Sequence, residues 1–190
     1  MEVFKNYING KWVESSSGRT FQSINPATEE VLGEFQASNA KDVEEAVRSA
    51  WRAFDKWRLV PAPKRGEILF EAVRLLKRKK KEFGELVTKE MGKVLPEGLG
   101  DVQEAIDMTE LMAGEGRRLF GITTPSELPE KFCMTVRMPI GAIGLITPWN
   151  FPFAIPSWKI APALIAGNTV VFKPASYTPL CAVRFIELLE

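Results

Sequence analysis

The stretch 141–174, GAIGLITPWNFPFAIPSWKIAPALIAGNTVVFKP, constrains the fold more than any other part of the chain. Residues 142–146 are a short apolar run without polar alternation, which suits a strand buried on both faces. Residues 157–166 read as a helix closed by Gly167-Asn168. Residues 169–172 are β-branched and aromatic, hence a second strand, and another helix starts at Thr178. Strand, helix, strand, helix at this spacing is a βαβ unit of a doubly wound sheet. The predicted class is α/β, an incomplete parallel sheet with flanking helices. Ligands in such sheets sit beyond the carboxyl ends of the strands. Those ends are Thr147-Pro148-Trp149-Asn150 and Lys173-Pro174-Ala175-Ser176.

The preceding residues read as a β-rich start followed by helices. Asn9-Gly10 lies between Tyr7-Ile8 and Trp12-Val13, a two-residue hairpin signal because both turn positions need positive φ. Asn25-Pro26-Ala27-Thr28 is a second turn, with a short strand over 31–35. Ser38 or Asn39 can cap a helix whose stripe is Val43, Ala46, Val47, Ala50, Trp51 and Phe54. Pro61 and Pro63 separate it from a second stripe through Leu69, Ala72 and Leu76. A break is expected near Gly84, and Gly92 can end the helix that follows. A further helix over about 97–119 carries Val102, Ala105, Ile106 and Thr109 on one side. The alternation over 132–138 predicts a long exposed strand.

Composition removes several function classes. The net charge of +1 gives no global field for nucleic acid or anionic membrane. The chain has no His, which leaves a zinc site few ligands and excludes His-based acid–base catalysis within it. No metal site is expected. Cys133 and Cys181 form no disulfide framework, and both read as packing residues rather than nucleophiles. The amino-terminal residues are too polar for a signal peptide, and five prolines interrupt the most apolar region between Pro139 and Pro162. A cytoplasmic protein without a membrane span is the expectation. The basic run 74–81 reads as a solvated helix face.

Three side chains at the strand ends and on the intervening helix offer chemistry. The Asn150 amide is a neutral donor between rings and prolines, suited to a developing oxyanion; the same side chain can equally cap a turn. Lys173, at a strand's carboxyl end, can reach ribose hydroxyls or a phosphate, or lie along the surface. Lys159 stands in an apolar helix, either partly desolvated or turned to solvent. The G-x-G-x-x-G fingerprint is absent.

PWNFP, a following Trp158-Lys159, and then P-A-L-x-x-G-N-x-V-V-x-K-P closely resemble the aldehyde dehydrogenase superfamily. YINGKW and INPATEEVLGEF extend the resemblance over the whole chain. It implies the N-terminal part of that family's Rossmann-like cofactor-binding domain. Residues 1–120 would be a β-hairpin and helical part, 121–139 a bridging segment used in subunit association, and 140–190 the first βαβ unit. Asn150 matches the oxyanion-hole Asn over a thiohemiacetal. Lys159 matches a Lys discussed as part of a proton path. Ile146, Thr147, Pro148 and Trp149 match the strand end lining the cofactor, and Lys173 matches the Lys binding the adenosine ribose.

Many NAD-preferring members carry Glu where this chain has Ser176. A Glu repels the 2′-phosphate of NADP and a Ser does not, so NADP or dual use is expected beside NAD. The resemblance also implies an aldehyde substrate, oxidised to a carboxylic acid, and a homo-oligomer or a partner chain supplying the missing half. The family's nucleophilic Cys and general-base Glu match positions beyond Glu190. The catalytic domain is therefore expected to be absent and the isolated chain inactive. The alternative is a non-catalytic interaction or structural module, or one half of a split enzyme.

Overall fold

The computed structural model describes residues 2–190. The elements run β1 (Val3–Phe4), β2 (Asn6–Ile8), β3 (Lys11–Val13), β4 (Thr20–Ile24), β5 (Val31–Gln36), α1 (Ala40–Trp57), α2 (Ala62–Met91) and α3 (Leu95–Glu115). There follow β6 (Thr123–Thr124), β7 (Cys133–Met134), β8 (Ala142–Ile146), α4 (Ala154–Ile165), β9 (Thr169–Lys173) and α5 (Pro179–Leu189).

The amino-terminal strands follow local chemistry. Asn9 and Gly10 both take positive φ, 55° and 71°, and β2 pairs with β3 around them. In a second small sheet β5 lies between β1, which runs parallel to it, and antiparallel β4. Asn39 caps α1, and the Asp42 carboxylate accepts the Asn39 N–H at 2.9 Å, completing a capping box. The expected apolar stripe of α1 is only partly covered. Ala50 is buried, whereas Val43, Val47 and Trp51 remain exposed.

The expected break near Gly84 does not occur. α2 runs unbroken for 30 residues and ends at Gly92, with φ 88°. Gly84 marks instead a close approach of α2 to α3. A Cβ on Gly98 would stand 2.5 Å from the Gly84 carbonyl oxygen, and one on Gly84 would stand 2.6 Å from Leu99. Tertiary contact recovers what a mid-helix glycine costs in propensity. The buried side of α3 is the one expected, with Val102, Ala105, Ile106 and Thr109 at 3% exposure or less. The helix stops earlier than expected, at Gly116, where a Cβ would meet the Ala62 carbonyl at 2.7 Å.

β8 and β9 pair in parallel across α4, as the βαβ reading requires. The main core lies between this pair and the α2–α3 layer. Phe153 links the two, stacking on Phe83 at 4.7 Å and meeting Phe185 edge-on at 5.9 Å. α4 begins at Ala154, earlier than the expected 157. The missing signal is a cap from another helix: Asp101 of α3 accepts the Ala154 N–H at 2.7 Å. Pro156 falls in the first turn, where its lack of an N–H costs nothing.

The long strand expected over 132–138 is not formed. Its regular pairing is confined to Cys133 and Met134 against Thr124 and Thr123. Beyond them one backbone bond continues, from the Thr135 N–H to the Ile122 carbonyl at 2.8 Å; the Thr135 side chain accepts the Ile122 N–H at 2.9 Å and Arg137 Nε donates to the Phe120 carbonyl at 3.0 Å, so side chains take over from the ladder. The segment is exposed throughout, and Cys133 with it, which corrects the reading of Cys133 as a packing residue. Cys181 is buried in the core as expected. The basic run is a solvated face, with Lys77 on Glu110 at 2.8 Å and Lys79 on Glu82 at 3.3 Å. No helix among the described residues is long and apolar enough to cross a membrane.

Candidate functional site

The carboxyl ends of β8 and β9 are brought side by side. Ile146 is the register partner of Lys173, and the Thr147 N–H donates to the Lys173 carbonyl at 3.3 Å. Beyond the ladder the two loops still touch. The Trp149 and Tyr177 rings meet edge-on with centroids 6.1 Å apart. The sequence motifs TPWN and KPAS therefore leave the same edge of the same strand pair.

Burial sorts the expected residues. Thr147 is 4% exposed and anchors the turn. Ile146, Pro148, Trp149, Asn150, Lys173 and Ser176 are all exposed, Ile146 at 75%. Among the described residues neither the Asn150 amide nor the Lys173 ammonium has a hydrogen-bond or ion-pair partner. Lys159 lies on α4 next to Trp158, and both are exposed. Of its two readings the solvent-facing one holds. No cluster of His, Cys, Asp or Glu able to hold a metal occurs among the described residues.

Four residues at this end escaped the sequence reading: Lys93, Asp101, Phe151 and Tyr177. A cavity of about 450 Å³ opens beside Asn150 and Phe151, with Lys93, Glu97, Asp101 and Glu104 on its opposite wall. Lys93 Nζ donates to the Asn150 carbonyl at 2.8 Å and sits 4.0 Å from the Phe151 ring centre. Asp101 is fully buried; its Oδ1 holds Ala154 and its Oδ2 has no partner. Burial pushes its carboxyl up to about 6, against the pull of the Ala154 N–H and of the Lys93 charge. No local pattern announces the Lys93–Asn150 and Asp101–Ala154 contacts, because they join residues 57 and 53 positions apart.

Cys181 has no nucleophilic character. Its thiol is raised well above the ordinary range by burial and then by the neighbouring Glu90 carboxylate. The carboxyl edge of the strand pair thus carries a neutral amide, an ammonium, a hydroxyl and two aromatic rings, all exposed.

Comparison with known proteins accords with this arrangement. The model of the aldehyde dehydrogenase family matches residues 12–190. The chain is 46% identical to the α-ketoglutarate semialdehyde dehydrogenase of Haloferax volcanii, over 98% of this chain and 39% of that protein. Among solved structures it is similar to a 3,6-anhydro-L-galactose dehydrogenase in complex with NAP, at TM-score 0.94 and 34% identity, covering 99% of this chain and 39% of that one. It is also similar to an NAD-dependent aldehyde dehydrogenase from Sinorhizobium meliloti, at TM-score 0.94 and 31% identity, covering 100% of this chain and 38% of that one. The chain thus spans about 39% of the length of the curated relative it matches. With the βαβ geometry and the TPWN and KPAS ends in place, the chain belongs to the aldehyde dehydrogenase family.

Proposed function

We propose that this chain supplies the oxyanion donor and part of the dinucleotide wall of an NAD(P)-dependent aldehyde dehydrogenase. The observation that carries the reading is the parallel register that pairs Ile146 with Lys173, so that the loop carrying Asn150 leaves the same edge of the strand pair at which Lys173 stands. In the reaction an aldehyde is oxidised to a carboxylic acid through a thiohemiacetal. Asn150 donates its amide N–H to the carbonyl oxygen as negative charge develops there. Lys173 donates to the adenosine ribose hydroxyls, and Ile146, Thr147, Pro148 and Trp149 form the wall against the dinucleotide. The exposure of Ile146, Pro148 and Trp149, the unspent donors and the absence of a carboxylate at Ser176 fit that group. When bound, the dinucleotide accepts the hydride.

Ser176 supports NADP or dual use, since a neutral hydroxyl does not repel a 2′-phosphate. Lys159, exposed on α4, is the residue proposed for proton movement to solvent. Neither cysteine has a nucleophile's surroundings, so the thiolate and the general base come from elsewhere and the chain alone is inactive. Residues 121–139 serve association between subunits, and the unit is read as 1–120, 121–139 and 140–190. The relative from Haloferax volcanii makes a semialdehyde the first substrate to try.

The experiment mixes this chain with a polypeptide carrying the rest of a family member and follows formation of reduced nicotinamide with a semialdehyde. Activity on mixing and none from either part alone supports the reading. Asn150→Ala then lowers kcat roughly 10²–10³-fold. A mixture that assembles but stays inactive overturns it. A second reading, a non-catalytic association module, is favoured by the exposed row Phe132, Met134, Val136 and Met138.

A further inference from the structure

We infer that Lys93 is a positioning residue for the Asn150 amide, holding the turn that carries it against the α2–α3 corner. The inference rests on the role proposed above for Asn150 and deepens it.

The turn from Trp149 to Phe153 lies between β8 and α4, follows Pro148 and contains Pro152. Prolines restrict φ and remove donors, so few backbone hydrogen bonds can fix such a turn. Its far end is secured from α3 and α2, where Asp101 accepts the Ala154 N–H and Phe153 is packed on Phe83. Its near end depends on Lys93. The ammonium donates to the carbonyl oxygen of Asn150 itself, at 2.8 Å, and lies over the next ring, Phe151, at 4.0 Å. Fixing that carbonyl and the following side chain fixes the backbone of residue 150. The amide leaves the same Cα, so the point from which it reaches out is set with it.

The contacts of Lys93 distinguish it from an ordinary surface lysine. Glu97 and Glu104 face the same cavity, yet no carboxylate lies within ion-pair distance of its ammonium among the described residues. The charge is directed at a carbonyl and a ring face instead. Its location follows from the backbone just before it. Gly92 ends α2 at φ 88°, and a Cβ there would stand 2.8 Å from Pro26. That left-handed residue turns the chain so that Lys93 faces the Asn150 turn.

The test uses the full chain and two readouts. The first is nitrogen-15 relaxation of the Asn150 side-chain amide, the Trp149 indole and the backbone of residues 149–152. Lys93→Met is expected to lower order parameters there from about 0.85 towards 0.6 or below. Lys93→Arg, which keeps charge and donors, is expected to restore them, with α2 and α3 protected from hydrogen exchange in both. Lys93→Leu serves as the second variant should Lys93→Met fail to fold. Unchanged order at 149–152 in Lys93→Met or Lys93→Leu overturns the inference.

The second readout is the mixed enzyme. There Lys93→Met is expected to lower kcat roughly tenfold to 10²-fold with KM changed less than about twofold, and Lys93→Arg to recover most of it. A lower affinity for aldehyde with kcat unchanged overturns positioning. Wild-type inactivity on mixing would sink the functional reading, while the relaxation experiment would still decide for or against Lys93.

Discussion

The Glu90 carboxylate accepts the backbone N–H of Cys181 at 2.7 Å, joining the last turn of α2 to the first turn of α5. The other carboxylate oxygen accepts the Leu180 N–H at 2.7 Å and the Ser23 hydroxyl at 2.8 Å. Glu90 is 3% exposed, so a single buried side chain ties β4, α2 and α5 together. Burial raises its pKa, and these donors oppose the rise.

Glu90→Ala would leave three donors without their acceptor. The expected loss is at least about 3 kcal/mol of unfolding free energy, measured by denaturant titration. Hydrogen exchange should accelerate first at Leu180, Cys181 and Ala182. A loss under about 1 kcal/mol would show that water or a neighbour replaces the carboxylate at little cost.

Asp101 sets a pH dependence of known sign. Its folded carboxyl is raised to about 6 from an ordinary 3.8 by burial. The stability it contributes is complete below its unfolded value and is lost as pH rises through about 6. That amounts to about 2 kcal/mol between pH 4 and 7. Asp101→Asn keeps an acceptor for Ala154 and does not titrate. Its stability should therefore change less over that interval, and at pH 7 it should equal or exceed the parent. A variant markedly less stable at pH 7 would show that the charge itself is needed.

Asp42 runs the other way. Burial raises its carboxyl, but hydrogen bonds from Ser15, Asn39 and Ser16 outweigh it and hold the group below the carboxylate range. Its contribution is present above the ordinary value and is lost as pH falls. Asn39→Ala removes the acceptor for the Lys41 and Asp42 N–H groups and should cost about 1 kcal/mol. Melting curves of Asn39→Ala and Asp42→Asn at neutral and acid pH would check both. Asp42→Asn should lose less on acidification than the parent, whereas Asn39→Ala, which keeps the backbone N–H that donates to Asp42, should lose about as much.

Gly98 and Gly100 separate packing from propensity on one helix. Alanine at either should favour the helix by roughly 1 kcal/mol. At Gly98 the new Cβ would stand 2.5 Å from the Gly84 carbonyl, whereas at Gly100 nothing lies within 4 Å. Gly98→Ala is expected to destabilise by about 1–2 kcal/mol net, and Gly100→Ala to stabilise. Thermal unfolding of the pair settles it, and a stabilised Gly98→Ala would contradict the close approach of α2 and α3.

Ser176 tests the cofactor proposal. In the mixed enzyme Ser176→Glu should weaken NADP roughly tenfold or more relative to NAD, because a carboxylate would face the 2′-phosphate. Equal effects on the two dinucleotides would remove Ser176 from that role.

The sequence by itself determined the elements whose causes are local. Asn9-Gly10 turns the hairpin because both positions tolerate positive φ, Asn39 caps α1, Gly92 ends α2, and the β-branched run 169–172 becomes β9. It also placed Asn150 and Lys173 at strand ends, since a βαβ pattern fixes which ends are carboxyl ends. Tertiary structure alone decided whatever depends on partners distant in sequence. Gly84 stays helical because α3 rests on it, α4 starts early because Asp101 caps it, and half of the α1 stripe stays exposed. The support of the Asn150 turn by Lys93 belongs with these, for a hydrogen bond across 57 residues leaves no periodicity to read.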